Sequence, residues 1–386
     1  VNTRSVWAEI DLNAVAHNVR ELRRVTRPAA RLMAVVKADG YGHGAVQVAR
    51  RALESGADWL GVARIAEAVQ LRRAGLEAPI LVFGRCPPER FEDLIEYRLA
   101  QSVFDPLTAE ALSSRCLARG TLAEVHIKID TGMGRLGFPV DALLATGKNR
   151  NRNARIVDRV RRLFRLRGIR IGGIFTHFAA ADSPDRSYAE RQLELFSELL
   201  EDLHKAGCEF PIRHAANSAA VIEMPQSHFD LVRPGIALYG LYPSETVNRD
   251  TVGLRPAMAL KSRIIQLKSV PAGFKVSYGM TYQTPTAMHI ATVGVGYADG
   301  LDRHLSSRGH MLVAGRRLPI AGRICMDLTM LAVADPAGIG ATDEVVVFGR
   351  QNGAEIKVDE LAAQLGTINY EIVTGIGSRV PRVYLN

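Results

Sequence analysis

From residue 32 onward the chain alternates short apolar runs with stretches whose apolar positions recur at helical spacing. The runs cover residues 32–37, 59–63, 80–83, 101–104, 125–130, 171–177, 212–216 and 231–237. They are rich in Val, Ile and Leu and lack an in-and-out alternation, the pattern of strands covered on both faces. Between them, residues 44–53, 64–73, 88–98, 107–118 and 189–206 show the clearest helical periodicity. Asp105 and Pro106 punctuate the start of one helix, and Arg119-Gly120 its end. Eight such units predict an α/β fold class: an N-terminal (β/α)8 TIM-type barrel. An open doubly wound sheet is the alternative, but Asp39-Gly-Tyr-Gly-His-Gly44 lacks the G-x-G-x-x-G spacing that usually follows its first strand.

From about Leu254 the texture changes. Short β-rich segments at 259–270, 290–297, 311–314 and 344–348 are separated by Gly, Pro or charged turns, with one helical stretch at 358–365. A mainly β C-terminal domain is expected over 246–386, after a barrel at 1–245 whose N-terminal residues are also able to pack on the β domain.

Composition narrows the class. A chain of 386 residues that is 47% hydrophobic buries a large core in two domains. No apolar run approaches the roughly 18 residues of a membrane span. Residues 1–11 carry acids and no long apolar core, so they do not read as a secretory signal. Cys86, Cys116, Cys208 and Cys325 stand singly, without metal-ligand spacing or disulfide density. A cytoplasmic protein without a metal is expected.

The net charge of +9 is concentrated. Between Lys148 and Arg170 ten basic residues face one acid, Asp158, so this segment alone accounts for the excess. It reads as a solvated, partly irregular insertion, with an anionic partner or membrane surface as the alternative. A nucleic-acid binder would spread such residues over a folded face, and no nucleic-acid or membrane partner is expected.

Candidate chemistry collects where the strands end, the reactive face of a barrel. Lys37 closes the first run and precedes Gly40, Gly42 and Gly44. Later runs deliver Arg135 beside Gly132, Gly134 and Gly137, then His177, then His214 with Asn217 and Ser218, then Arg233 with Gly235 and Ile236. Singly, each has a plain structural reading: a surface lysine, a core histidine, an arginine in an ion pair, an Asn-Ser helix cap. Together they suit one ligand. The last two loops of such a barrel are the usual place for a phosphate group, and an isolated lysine beside a phosphate cradle points to an imine-forming cofactor, pyridoxal 5'-phosphate.

The segments Ala34-Val-Val-Lys37-Ala-Asp-Gly-Tyr41-Gly-His-Gly44, His126-Ile-Lys128-Ile-Asp-Thr-Gly-Met-Gly-Arg135-Leu-Gly137, Phe175-Thr-His177, His214-Ala-Ala-Asn-Ser218, Val232-Arg233-Pro-Gly-Ile236, Val276-Ser-Tyr278-Gly, Gly296-Tyr297-Ala-Asp-Gly300 and Gly322-Arg-Ile-Cys325-Met326-Asp327 resemble the alanine racemase family. These run in the family's order from one end of the chain to the other.

The resemblance implies a homodimer with shared active sites that interconverts L- and D-alanine by two-base proton exchange at the α-carbon of a pyridoxal-phosphate aldimine, supplying D-alanine for peptidoglycan. It makes Lys37 and Tyr278 the two bases, the tyrosine coming from the partner subunit. Arg233 would face the pyridine nitrogen, His177 the ring, and Tyr41, Asn217, Ser218, Gly235 and Ile236 the phosphate region. Arg135 would bind near the cofactor hydroxyl and, with Tyr297 and the backbone at Met326, meet the substrate. His214 would orient Arg233, Asp327 would support the substrate loop, and Lys128 matches a lysine that is carbamylated in some relatives. Without the Lys37 motif Tyr278 reads as a buried aromatic with its hydroxyl satisfied.

Two departures stand out. Ser378 occupies a place where the family often has tyrosine, implying a roomier mouth and tolerance of serine or larger amino acids. The basic stretch lengthens the chain between Arg135 and His177. Rival readings are a same-fold amino-acid decarboxylase, which would not need Tyr278, and a non-catalytic cofactor-handling protein, which would not need the β domain.

Overall fold

The computed structural model describes residues 4–140 and 153–386. The chain divides into two compact units, one of Ala14–Gly40 with Ala45–Arg255, the other of Val1–Asn13, Tyr41–Gly44 and Pro256–Asn386.

The first unit is a parallel barrel of eight strands: Arg31–Val35, Trp59–Val62, Ile80–Val82, Ala100–Val103, Ala123–Asp130, Ile169–Phe175, Arg213–His214 and Leu231–Val232. Each of the first six strands pairs with the next, and the eighth pairs with the first through Leu231 and Arg31. Between the seventh and eighth, backbone bonds from Asp230 N to Arg213 O and from Arg233 N to Ala216 O join the ring. Every residue of Trp59–Val62 and Ile80–Val82 is buried, as expected of strands covered on both faces. Met33, Trp59, Leu81, Ala100, Ile212 and Leu231 pack as one core cluster.

The eighth strand is far shorter than the expected 231–237. Pro234 has no N–H to give a ladder, and residues Ile236–Tyr239 turn into a short 3-10 helix instead. The segment 246–255 stays with the barrel because Asn18 donates to the carbonyls of Leu238 and Arg255 and accepts from Arg255 N.

The basic stretch also differs from its expected character. Lys148, Arg150 and Arg152 lie outside the described residues, but Ala154–Leu163 is a regular helix. Ile156, Val160 and Leu163 recur on one buried face, while Arg155, Arg159, Arg161 and Arg162 are exposed. Within the described part of the stretch, this helix leads into Ile169–Phe175 as one more β-α unit.

The second unit is mainly β. Its centre is the long strand Met258–Val270, which pairs with Val6–Asp11 and Glu344–Gln351 along its first half. After an irregularity between Ile264 and Gln266 it pairs with Met288–Val293. The N-terminal strand Val6–Asp11 also runs parallel to Arg382–Leu385, so the first and last strands of the chain are neighbours. Val270, Val276, Met288, Ile290, Ala321 and Ala332 form a core cluster.

The turn Tyr41–Gly44 belongs to this unit and fits against its C-terminal segments. The Arg382 guanidinium donates to Gly42 O at 2.9 Å. Gly44 has φ +94°, and a Cβ there would lie 1.9 Å from the Tyr384 hydroxyl oxygen. A Gly44→Ala substitution is therefore expected to lower unfolding stability by about 1–3 kcal/mol, read from urea denaturation. An unchanged midpoint would contradict this packing.

Candidate active site

The first barrel strand ends in a conformation that L-residues rarely adopt. Ala38, Asp39 and Gly40 have φ/ψ of 53/51, 51/49 and 61/45, a left-handed helical turn. Three bonds hold it. Gly40 N donates to Val36 O at 2.9 Å, Ala38 N to Glu67 Oε1 at 2.7 Å, and Ala45 N to Asp39 Oδ1 at 2.8 Å. The other Glu67 oxygen accepts from Ala63 N and Arg64 N, so one carboxylate fastens the lysine turn to the end of the next strand. Sequence reasoning missed Glu67. Its signal was a glutamate at the third position of the helix that follows Arg64, the place from which an acid reaches back to free amides.

Lys37 sits half-buried on this turn. Loss of hydration and the nearby Arg135 charge lower its proton affinity, against a smaller opposing effect of Glu67. Lys128 is buried more deeply, and desolvation with the Arg233 charge brings it down to about 7. Its ammonium lies 5.2 Å from the Phe175 ring centre and donates to Ile129 O.

Arg233 is buried at the centre of this group, yet its partners are neutral. Its Nη1 donates to His214 Nδ1 at 2.9 Å. Its Nη2 donates to Thr176 O at 2.8 Å, to Ala215 O at 3.0 Å and to His177 Nδ1 at 3.2 Å. Burial and Arg135 lower it to about 9, so it stays protonated at neutral pH. Because arginine can only donate, both imidazoles must present a bare Nδ1. Burial and the Arg233 charge hold His177 and His214 well below the usual histidine range, so both are neutral. The His214 ring stacks on Phe175 at 4.7 Å, and its Nε2 meets His126 Nδ1 at 2.8 Å.

Ser218 begins a short helix, Ser218–Glu223, that Asn217 caps by accepting from Ala220 N. The capping alternative for Asn217 is thus realised. The Ser218 hydroxyl oxygen accepts from Gly235 N at 2.8 Å and Ala237 N at 3.4 Å, which joins the two last loops and leaves its own proton for a further acceptor. Arg135 is exposed on its glycine-rich loop. Its charge reaches Lys37, Lys128, His177 and Arg233.

Tyr41, Tyr278, Tyr297, Met326 and Asp327 belong to the β unit. Tyr278 is not a buried aromatic: it is 71% exposed on a tight turn in which Ser277 has φ +65°. Ser277 Oγ donates to Arg323 O, fastening that turn to the loop carrying Met326. Tyr297 N and Ala298 N donate to Cys325 O and Met326 O. Arg379 bridges buried Asp299 at 2.7 Å and Asp327 at 2.6 Å. Three adjoining loops of this unit therefore hold Tyr278, Tyr297, Met326 and Asp327. Tyr41 is buried, its ring 6.2 Å from that of Tyr370.

Residues 10–243 match the family model described as alanine racemase, N-terminal domain, and residues 257–384 the model described as alanine racemase, C-terminal domain. The chain belongs to the alanine racemase family. It is similar to the alanine racemase of Desulfosudis oleivorans, 55% identical over 386 residues that cover all of this chain and 98% of that protein. An alanine racemase of Desulforamulus reducens is 48% identical over 380 residues, 98% of this chain and 99% of the other. Among solved structures, alanine racemase of Clostridium difficile 630 superposes with a TM-score of 0.91 at 38% identity, covering all of this chain and 97% of that one. The alanine racemase of D-cycloserine-producing Streptomyces lavendulae gives 0.91 at 40% identity, with 100% and 98% covered.

The family's cofactor is pyridoxal 5'-phosphate, and the donor set in the barrel fits it. An amine whose charge is disfavoured suits condensation with an aldehyde. A guanidinium suits a ring nitrogen that accepts, and a hydroxyl between two loop amides suits a phosphate. Among the described residues no group of three or more His, Cys, Asp or Glu is gathered to hold a metal, and no helix is long and apolar enough to cross a membrane.

The buried amine of Lys128 gives a signed expectation. It titrates at about 7 in the barrel and at the ordinary lysine value of 10.5 when unfolded. Between these values the unfolded chain binds more protons, so stability rises with pH across that window. The cost of burying the ammonium is full below pH 7 and relieved toward 10.5. Lys128→Met should therefore raise the unfolding free energy most near neutral pH and below, the gain fading toward pH 10.5, as read by urea unfolding in carbonate-free buffer. A gain that grows with pH would contradict the assignment.

Proposed function

We propose that this chain interconverts L- and D-alanine by removing the α-proton on one face of the substrate and returning it on the other. The observation that carries the reading is the pairing of a lysine amine of lowered proton affinity with a buried, donor-only arginine, in a chain of the alanine racemase family. Lys37 would hold the cofactor covalently, Arg233 its ring nitrogen and His177 its ring face. Ser218, Tyr41, Asn217 and the amides of Gly235 and Ile236 would hold its phosphate, with Arg135 near its hydroxyl. When bound, the cofactor supplies an electron sink that makes the α-C–H bond acidic.

The chain's own residues do the rest. Once freed by the incoming amino acid, the Lys37 amine takes the proton from one face, while the Tyr278 hydroxyl gives its proton to the other. In the opposite direction the two exchange roles. A lysine at its solution pKa would hold its proton too tightly to serve as a base near neutrality, and burial next to Arg135 corrects this. Arg233 keeps its proton, because a guanidinium gives it up far less readily than the ring nitrogen does. That limits electron withdrawal and disfavours side reactions of a longer-lived carbanion.

Arg135, Tyr297 and the backbone at Met326 would bind the substrate, with Asp327 supporting the loop through Arg379. Tyr278, exposed on its own chain, would complete the site of a second copy, making the active unit a homodimer with shared sites. Lys128, an amine near neutral charge balance, is poised for carbamylation, which would give Arg135 an anionic partner. A cytoplasmic setting is supported by four unpaired cysteines, three of them buried, and the product would be D-alanine for peptidoglycan. A second reading, acceptance of serine or larger amino acids, is favoured by exposed Ser378 where relatives often carry tyrosine.

The test is solvent-deuterium exchange at the α-carbon of L- and D-alanine, followed by NMR and circular dichroism. Wild type is expected to exchange and interconvert both enantiomers. Lys37→Ala should lose both this activity and the visible absorbance of the covalently held cofactor, whereas Tyr278→Phe should keep the absorbance and lose interconversion. Enantiomer interconversion by Lys37→Ala would overturn the assignment. Serine added in place of alanine should turn over, and rapid alanine turnover with none for serine or larger side chains would remove the second reading.

A further inference from the structure

The hydrogen bonds of Arg233 do not stop at His214. Since Arg233 donates to His214 Nδ1, the His214 proton is on Nε2 and is donated to His126 Nδ1 at 2.8 Å. The His126 proton is then on Nε2, which faces Glu124 Oε1 at 3.6 Å. That nitrogen is buried and, among the described residues, has no hydrogen-bond partner, so its proton is oriented by a carboxylate beyond ordinary bonding distance. The other Glu124 oxygen is paired with Arg170. Four side chains from two strands and the Arg233 loop thus form one directional line, with every proton position dictated from the arginine end.

The surroundings are shaped for this line. Glu124, His126 and Lys128 alternate along one strand and share a face. Opposite them the strand Ile169–Phe175 carries Gly172 and Gly173. A Cβ on Gly173 would lie 2.7 Å from His126 Nδ1, and one on Gly172 2.5 Å from Glu124 Oε1. The pairing register shifts between Val125 and His126, at these glycines. Trp59 and His214 close over the His126 ring at 5.5 and 5.1 Å. Two side-chain-free positions and a register shift make room for a polar pair that a barrel core of aliphatic residues would not need.

We propose that His126 and Glu124 are positioning residues for Arg233. They keep His214 in the tautomer with a bare Nδ1, and so keep the guanidinium aimed and fully donating. The inference rests on the proposed role of Arg233 toward the cofactor. Without an acceptor at His126, His214 is free to move its proton to Nδ1. That would set N–H against N–H at Arg233 and displace the guanidinium. Burial keeps His126 neutral along with His214, consistent with a line of fixed tautomers rather than of charges.

The test uses holoenzyme labelled with 15N-histidine, with His126 and His214 signals assigned by single substitutions. Wild type should show each as one tautomer, Nε2 protonated. In His126→Phe, His214 should lose its single tautomer, and α-proton exchange should fall on the order of tenfold or more. His126→Gln, whose amide accepts and donates along the same line, should restore most of the rate. If the phenylalanine variant does not fold, Glu124→Leu takes its place, and His126 itself should lose its single tautomer. An unchanged His214 tautomer and exchange rate in folded His126→Phe, or unchanged His126 signals in Glu124→Leu, would overturn the proposal. Arg233→Leu separates the two layers. If it cripples exchange while His126→Phe does not, only the positioning inference fails. If it too leaves exchange untouched, the role of Arg233 fails.

Discussion

The interior of the barrel is organised by one buried positive charge that, among the described residues, has no carboxylate against it. Arg233 is held instead by two imidazoles and two backbone carbonyls, with its guanidinium 5.3 Å from the centre of the Phe175 ring. An unpaired buried charge is costly, and charge-assisted bonds to neutral acceptors with a cation–π contact offset that cost. The consequence spreads to its neighbours. Burial first, and then the same charge, lowers the proton affinity of Lys128, His177 and His214, so the surrounding groups are neutral or nearly so and the imidazole tautomers are fixed by the arginine. A carboxylate in place of those imidazoles would reverse the logic of the whole cluster.

A second constraint lies in the backbone at Lys37. Left-handed conformations at Ala38 and Asp39 cost roughly 1–2 kcal/mol each, and Glu67 supplies much of what holds them. The left-handed turn carries the chain sharply away from the first strand immediately after Lys37, so the lysine is presented at the strand's end rather than continuing the ladder. Strain of this kind persists where surrounding bonds over-determine it, and the three bonds around this turn come from Val36, Asp39 and Glu67.

Much of the fold was legible because the barrel strands are uninterrupted apolar runs and the β segments are not followed by long helices. The family motifs pointed to the same cluster that the barrel assembles around Arg233. What escaped the sequence depended on partners far away along the chain. Nothing near Ala38 announces a left-handed turn, since Glu67 lies 29 residues on. His126 was read only as part of a motif, because its partner His214 is 88 residues away. Pro234 lies in the expected eighth strand among apolar residues, and its missing donor is a weaker sequence signal than their hydrophobicity. Ile156, Val160 and Leu163 have the spacing of a packed helix, but the arginines at 155–162 surround them with charge. Tyr278 was assigned from its motif, and only the structure shows its ring out in solvent.

Lys37, lowered in proton affinity by burial and by Arg135, is the lysine proposed to carry the cofactor. Borohydride reduction of the loaded protein, followed by digestion and mass mapping, would locate the attached group directly. The added mass is expected on the peptide containing Lys37 and on no other lysine. Attachment at Lys128, or at any lysine outside that peptide, would contradict it.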